Sequence, residues 1–130
     1  MPAYDASVFD PPAPLAYISL RVPDGGSTLP NVPMLLDSGA DVTLVQRSFI
    51  NELGVSVDPE LTYQLLAFDG RISVAEVVEL DLLFLKRTFR GRFLIIDQEV
   101  GILGRDVLNH VSLLLDGPRL FWSEVRSAQS

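Results

Sequence analysis

The sequence predicts a mainly β domain, a closed or sandwiched β fold with one or two short helices. Short apolar runs of alternating or β-branched residues recur along the chain, and turn signals separate them. Only residues 48–54 and 105–109 read as helix, and both stretches are short.

The elements follow in order. Residues 1–14 are rich in Pro and Ala, show no periodicity, and read as a flexible or loosely attached arm. Residues 17–22 alternate as a strand, and Pro23-Asp24-Gly25-Gly26 makes a turn. Residues 32–37 form a buried strand that delivers Asp37 at its end, and 42–45 a second, β-branched one. The first helix takes Ser48 as its N-cap and Gly54 as its stop. Apolar runs flank Asp69-Gly70, a short-range hairpin signal. The pattern continues to Leu85, turns at Lys86-Arg87-Thr88 and returns over 89–96. A short buried strand at Ile102-Leu103 precedes the second helix. Strands at 111–115 and 120–125 close the chain around Asp116-Gly117-Pro118. The organisation expected is an arm over 1–14, one domain over 15–125 and a polar tail over 126–130.

Composition narrows the chemistry. The 130 residues suit one domain, and a hydrophobic content of 48% is enough for a core without staples. Cysteine is absent, which removes disulfides, thiol nucleophiles and thiolate metal sites. The single histidine, His110, has no triad pattern beside it and reads as a helix-end or surface residue. The formal net charge of -7 repels phosphate backbones, so no nucleic-acid partner is expected. No apolar run approaches the roughly 20 residues of a membrane helix, and no basic leader is evident. A soluble, cytoplasmic chain without membrane partners is the expectation. Lys86, Arg87, Arg90 and Arg92 read as a solvated basic face, with Phe89 and Phe93 turned to the core.

One stretch stands apart: Leu35-Leu36-Asp37-Ser38-Gly39-Ala40-Asp41, which occurs once. A lone Asp-Ser-Gly is commonly a turn, because all three residues favour turns. Here it ends an apolar strand, a β-branched run follows, and the Asp69-Gly70 hairpin comes next. Gly101-Ile102-Leu103-Gly104-Arg105-Asp106 then opens the second helix. That order resembles the retroviral-type aspartic proteases (retropepsins) over roughly residues 15–125.

The resemblance implies an acid-protease closed β fold that is homodimeric, with a peptide or protein substrate, no cofactor and no metal. It implies an aspartic endopeptidase in which Asp37 from each of two copies activates a water. Two carboxylates a few ångströms apart share one proton, so one acts as base and the other as acid. Ser38 would hydrogen-bond across the dimer, and the N–H of Gly39 would bond a carboxylate. Ala40 would be small enough for two loops to meet. Substrate would touch Ala40, Asp41, Ile102 and a flap tip of Phe68, Asp69, Gly70 and Arg71. Gly104 and Arg105 would brace the loop, with Arg105 reaching Asp41 by a bidentate bond. Asp106 stands where some retroviral members carry Asn, and its role is open beyond capping the short helix. Trp122 belongs either to the core or to a dimer sheet of interdigitated chain ends. Ser38 in place of Thr and the charged flap tip favour an alternative, a weak or inactive module that dimerises or binds peptide.

Overall fold

Alternating burial builds a closed sheet. In the computed structural model, which describes residues 2–66 and 69–126, β2 (Ala13–Arg21) buries Ala16, Ile18 and Leu20 at every second position. The next strand, β3 (Thr28–Leu36), does the same with Val32, Met34 and Leu36. The long β6 (Ile72–Phe84) repeats the period through Val78, Leu80, Leu82 and Phe84. Side chains two apart on a strand share a face, so these residues meet in one core.

The remaining elements are β1 (Tyr4–Asp5), β4 (Leu44–Gln46), α1 (Arg47–Leu53), β5 (Thr62–Leu66), β7 (Arg87–Ile96), β8 (Gly101–Leu103), α2 (Arg105–Leu108), β9 (Leu113–Asp116) and β10 (Phe121–Glu124). The large sheet runs β1-β2-β3-β8-β4-β7-β6-β5, and a further pairing of β2 with β6 closes its six central strands into a ring. Two of its pairings, β3 with β8 and β4 with β7, are parallel, and the others are antiparallel. Closure pairs the six central strands on both sides, and β1 and β5 lie outside the ring. The hairpin β9–β10 stands as a separate two-stranded sheet.

Several expectations hold and several shift. Both short helices form. Gly54 ends the first in the left-handed region at φ 76°, its N–H reaching the Ile50 carbonyl. Ser48 does not cap it: the helix begins directly after β4 at Arg47, so Gln46 holds the cap position without a side-chain bond. The turn expected at 86–88 lies one residue earlier. Leu85 and Lys86, at φ 53° and 61°, join Phe84 to its partner Arg87. That leaves two residues with both φ positive, the hairpin geometry that matches strand twist.

The arm needs a larger correction. Tyr4 and Asp5 pair with Pro14 and Ala13 of β2. Tyr4 also donates to the Leu120 carbonyl, Trp122 donates to the Pro2 carbonyl, and Ala3 bridges Phe121. Long-range backbone pairing thus fastens a segment whose local composition reads as loose. Trp122 belongs to the core, tilted against Phe84, with its indole N–H on the Leu15 carbonyl at 2.9 Å. Of the tail, residues 127–130 lie outside the described residues.

Two members of the basic cluster, Arg90 and Arg87, have fixed partners, while Lys86 and Arg92 are exposed. Asp81 is fully buried and accepts from Arg90 at 2.8 Å and from Arg21 at 3.0 Å, each its cross-strand neighbour. The Arg90 guanidinium, aided by Arg21, holds the Asp81 carboxyl below the ordinary carboxylate range although burial pushes the other way. Arg87 donates to the His110 carbonyl at 2.9 Å.

Candidate active site

The alternation of β3 decides where Asp37 points. Val32, Met34 and Leu36 face the core, so Leu35 and Asp37 share the opposite side. The N–H of Asp37 donates to the Leu103 carbonyl at 3.1 Å, extending the parallel register of β3 and β8 by one residue. The two motif halves are therefore strand neighbours, although more than sixty residues separate Asp37 from Leu103 in sequence.

After Asp37 the chain turns tightly. The N–H of Gly39 donates to Asp37 Oδ1 at 2.9 Å, and the N–H of Ala40 to the Asp37 carbonyl at 3.2 Å. A Cβ on Gly39 would stand 3.0 Å from that carboxylate oxygen, so a side chain would crowd the group it serves. Asp37 is half-buried, and Ser38 and Gly39 are exposed. This loop presents a carboxylate with one oxygen held by a backbone N–H.

Bonds from the second motif half fix the loop from beneath. Arg105 donates its backbone N–H to the Ala40 carbonyl at 2.8 Å and its guanidinium to the Ser38 carbonyl at 2.7 Å. The expected bond from Arg105 to Asp41 is not made, and among the described residues Asp41 makes no ion pair. The physical reason is hydration. Asp41 is exposed and gains little from a surface pair, whereas a loop carbonyl lacking a strand partner takes the guanidinium. Gly104 is needed for contact: a Cβ there would strike the Val42 carbonyl group and lie 3.0 Å from the Ala40 oxygen.

A second tie was not legible in the motif. Thr43, fully buried, donates its hydroxyl to Asp106 Oδ1 at 2.6 Å and its N–H to Asp106 Oδ2 at 3.0 Å. The same hydroxyl accepts the Gly104 N–H at 3.1 Å. Asp106 thus locks the two halves together. The available signal was a hydroxyl residue inside an otherwise apolar run, two positions after Asp41.

A cavity of about 690 Å3 lies between the motif strands and the hairpin β5–β6. Leu35, Leu44 and Ile102 line it from the motif strands, and Leu65 with residues 73–75 from the hairpin β5–β6. The structure thus brings Ile102 and the hairpin together. Asp37, Ser38, Gly39, Ala40, Asp41 and the tip residues Asp69, Gly70 and Arg71 do not line the cavity, and Phe68 lies outside the described residues. Arg71 folds back on Asp69 at 2.6 Å, and the Arg71 backbone N–H, followed by its guanidinium, keeps the Asp69 carboxyl below the ordinary range. Leu35, Leu44, Val8 and Phe9 were not anticipated as lining residues. Among the described residues no group of three or more His, Cys, Asp or Glu side chains is placed to hold a metal, and no helix is long and apolar enough to cross a membrane.

Comparison with known proteins agrees with this geometry. None of the curated proteins compared with the chain matches it. Among solved structures it is similar to the EIAV protease complexed with the inhibitor HBY-793. The TM-score is 0.58 and the identity 23%, over 75% of this chain and 86% of that one. At that identity the likeness speaks for the fold, which is the retropepsin-like β fold. The family profile described as Aspartyl protease matches residues 19–107, a span holding both motif halves, the hairpin between them and most of the closed sheet. By that match the chain belongs to the aspartyl protease family.

Proposed function

We propose that the chain is an aspartic endopeptidase that works as a homodimer, with Asp37 of each copy forming the catalytic dyad. The observation that carries this reading is the Asp37 loop. It holds a single carboxylate, oriented by the Gly39 N–H and braced through Ala40 and Ser38 by Arg105. One such carboxylate is half of the machinery, since peptide hydrolysis needs both a base and an acid.

In the dyad, the ionised Asp37 takes a proton from a water held between the pair. The hydroxide so formed adds to the scissile carbonyl carbon, while the protonated Asp37 of the other copy donates to the carbonyl oxygen. Collapse of the tetrahedral intermediate expels the amine, which leaves with a proton from the dyad. No covalent enzyme intermediate forms. Two features support a partner at this face. Leu114 and Leu115 are exposed on β9, and a cavity of about 190 Å3 lined by Leu36, Ser38, Leu108, Val111, Leu113 and Leu115 opens beside the loop. Ser38, exposed at the loop tip, is the residue for the cross-dimer hydrogen bond. The hairpin β5–β6 is the flap that covers substrate. The closed Asp69–Arg71 pair at its tip favours the second reading, a module that dimerises or binds peptide without turnover.

Cleavage of a diverse peptide mixture from about pH 4 to 7 at high protein concentration, beside Asp37→Asn, tests the proposal. Cut peptides that vanish in the variant are the expected result. A confirmed dimer that cuts nothing would transfer the assignment to the binding module.

A further inference from the structure

Past the end of α2 the chain lines another cavity, of about 700 Å3, within the ordinary range for ligand sites. Three segments meet there. The β6–β7 turn brings Lys86 and Arg87, the stretch after α2 brings His110, and the end of β10 with the residues after it brings Glu124 and Arg126. None of residues 37–41 lines it. With His110 neutral, Lys86, Arg87 and Arg126 stand against the one carboxylate of Glu124. The lining thus carries a surplus of two positive charges, in a chain whose net charge is -7.

These cations are held in place. Glu124, with a side chain only 12% exposed, takes Arg126 on Oε1 at 3.1 Å and Arg87 on Oε2 at 3.7 Å. Arg87 also donates to the His110 carbonyl at 2.9 Å, which ties the β6–β7 turn to the end of α2. The Val125 N–H donates to the Ser112 carbonyl at 2.8 Å and joins the third segment to the second. One carboxylate therefore orients two guanidiniums without balancing the charge around it. Lys86, exposed on the turn, makes no ion pair among the described residues. Groups fixed before contact lose less freedom on binding.

We propose that this cavity docks an acidic peptide segment of a partner protein, at a site separate from the Asp37 loop. A guanidinium can take a carboxylate through two parallel N–H bonds, and a local charge surplus favours an occupant of opposite sign. Leu85, Val111 and Val125 add apolar surface to the lining, so the fitting segment carries apolar side chains between its carboxylates. Inorganic phosphate would leave that apolar surface uncovered. The net charge of the whole chain opposes the long phosphate run of a nucleic acid, whereas a short acidic segment meets only the local surplus.

The test uses the full chain carrying Asp37→Asn, so that no probe is cut. A rhodamine-labelled octapeptide alternating Glu and Leu, and its counterpart with Gln for Glu, are titrated at low salt and read by fluorescence anisotropy. The acidic peptide should bind ~10-fold or more tightly than its counterpart, and the preference should shrink as salt is raised. Lys86→Gln combined with Arg126→Gln should weaken its binding by ~5-fold or more, since exposed charge contacts are individually modest. Arg92→Gln combined with Arg119→Gln removes the same charge at exposed positions outside the cavity and should change the affinity by less than ~2-fold. Equal losses in the two double variants would mean that the overall field attracts the peptide, and would overturn the proposal. No preference for the acidic peptide would overturn it too, as would inorganic phosphate or a short oligonucleotide binding as tightly as that peptide.

Discussion

Thr43→Val removes a hydroxyl and keeps the shape of the side chain, so it isolates the tie between the motif halves. Two losses follow. The bond to the Asp106 carboxylate, 2.6 Å long, is charge-assisted and contributes roughly 1.5–3 kcal/mol. The Gly104 N–H then loses its acceptor in a buried place, which costs roughly 1–3 kcal/mol. Asp106 is exposed, so water takes over its freed oxygen and part of the first loss is recovered. A net destabilisation of about 2–4 kcal/mol follows. For a chain of this length, that lowers Tm by about 6–15 °C. Urea and thermal denaturation followed by circular dichroism would measure it. Thr43→Ser keeps the hydroxyl and loses one methyl, for about 1 kcal/mol. A Thr43→Val protein within about 1 kcal/mol of the wild type, or a Ser variant as damaged as the Val one, would refute the tie.

Other perturbations probe other links. Asp81 has its folded carboxyl lowered below 3.8 by Arg90 and Arg21, so its contribution is present above the unfolded value and is lost as pH falls through the folded one. Between about pH 4.5 and 2.5 the urea midpoint of the wild type should therefore fall further than that of Asp81→Asn, and parallel curves would contradict this. Gly104→Ala pushes a Cβ into the Val42 carbonyl group and should cost about 1–3 kcal/mol together with most activity. Gly117→Ala, with nothing within 4 Å of the new atom, should be nearly neutral, and equal stabilities of the two variants would refute the close-contact account. Trp122→Phe loses the bond to the Leu15 carbonyl and should lower the urea midpoint by the equivalent of about 1–3 kcal/mol, whereas an unchanged midpoint would place Trp122 outside the core's structural demands.

The legible parts of the molecule were those governed by local pattern. Strands β2, β3 and β6 announce themselves by period-two burial, and both helices by short apolar spacing with Gly54 as a stop. Asp69-Gly70 marked the hairpin, whose strands pair from Thr62 with Glu76 to Leu66 with Ile72. Non-local terms decided the rest. Leu85 is not a turn former, yet the strand twist and the register of Phe84 with Arg87 place it there. The arm is fastened by Ala3 against Phe121, a partner more than a hundred residues away that no local pattern reveals. At the site, Asp37 and Gly39 followed from the motif, but the choice of Arg105 between Asp41 and the Ser38 carbonyl depends on exposure, which a sequence does not print. The tie from Asp106 to Thr43 was not legible for the same reason, since the two residues come from distant parts of the chain.

The central claim is that two copies of Asp37 act together, and a subunit-mixing titration tests it most directly. Wild-type chain at fixed amount, well above the concentration needed for dimers, is mixed with an equal amount of Asp37→Asn chain, and peptide cleavage is followed after exchange. Random pairing leaves about half of the original wild-type dimers, so activity should fall to about half and continue falling as more variant is added. Activity that stays constant through the titration would mean that one Asp37 suffices, and the shared dyad would have to be abandoned.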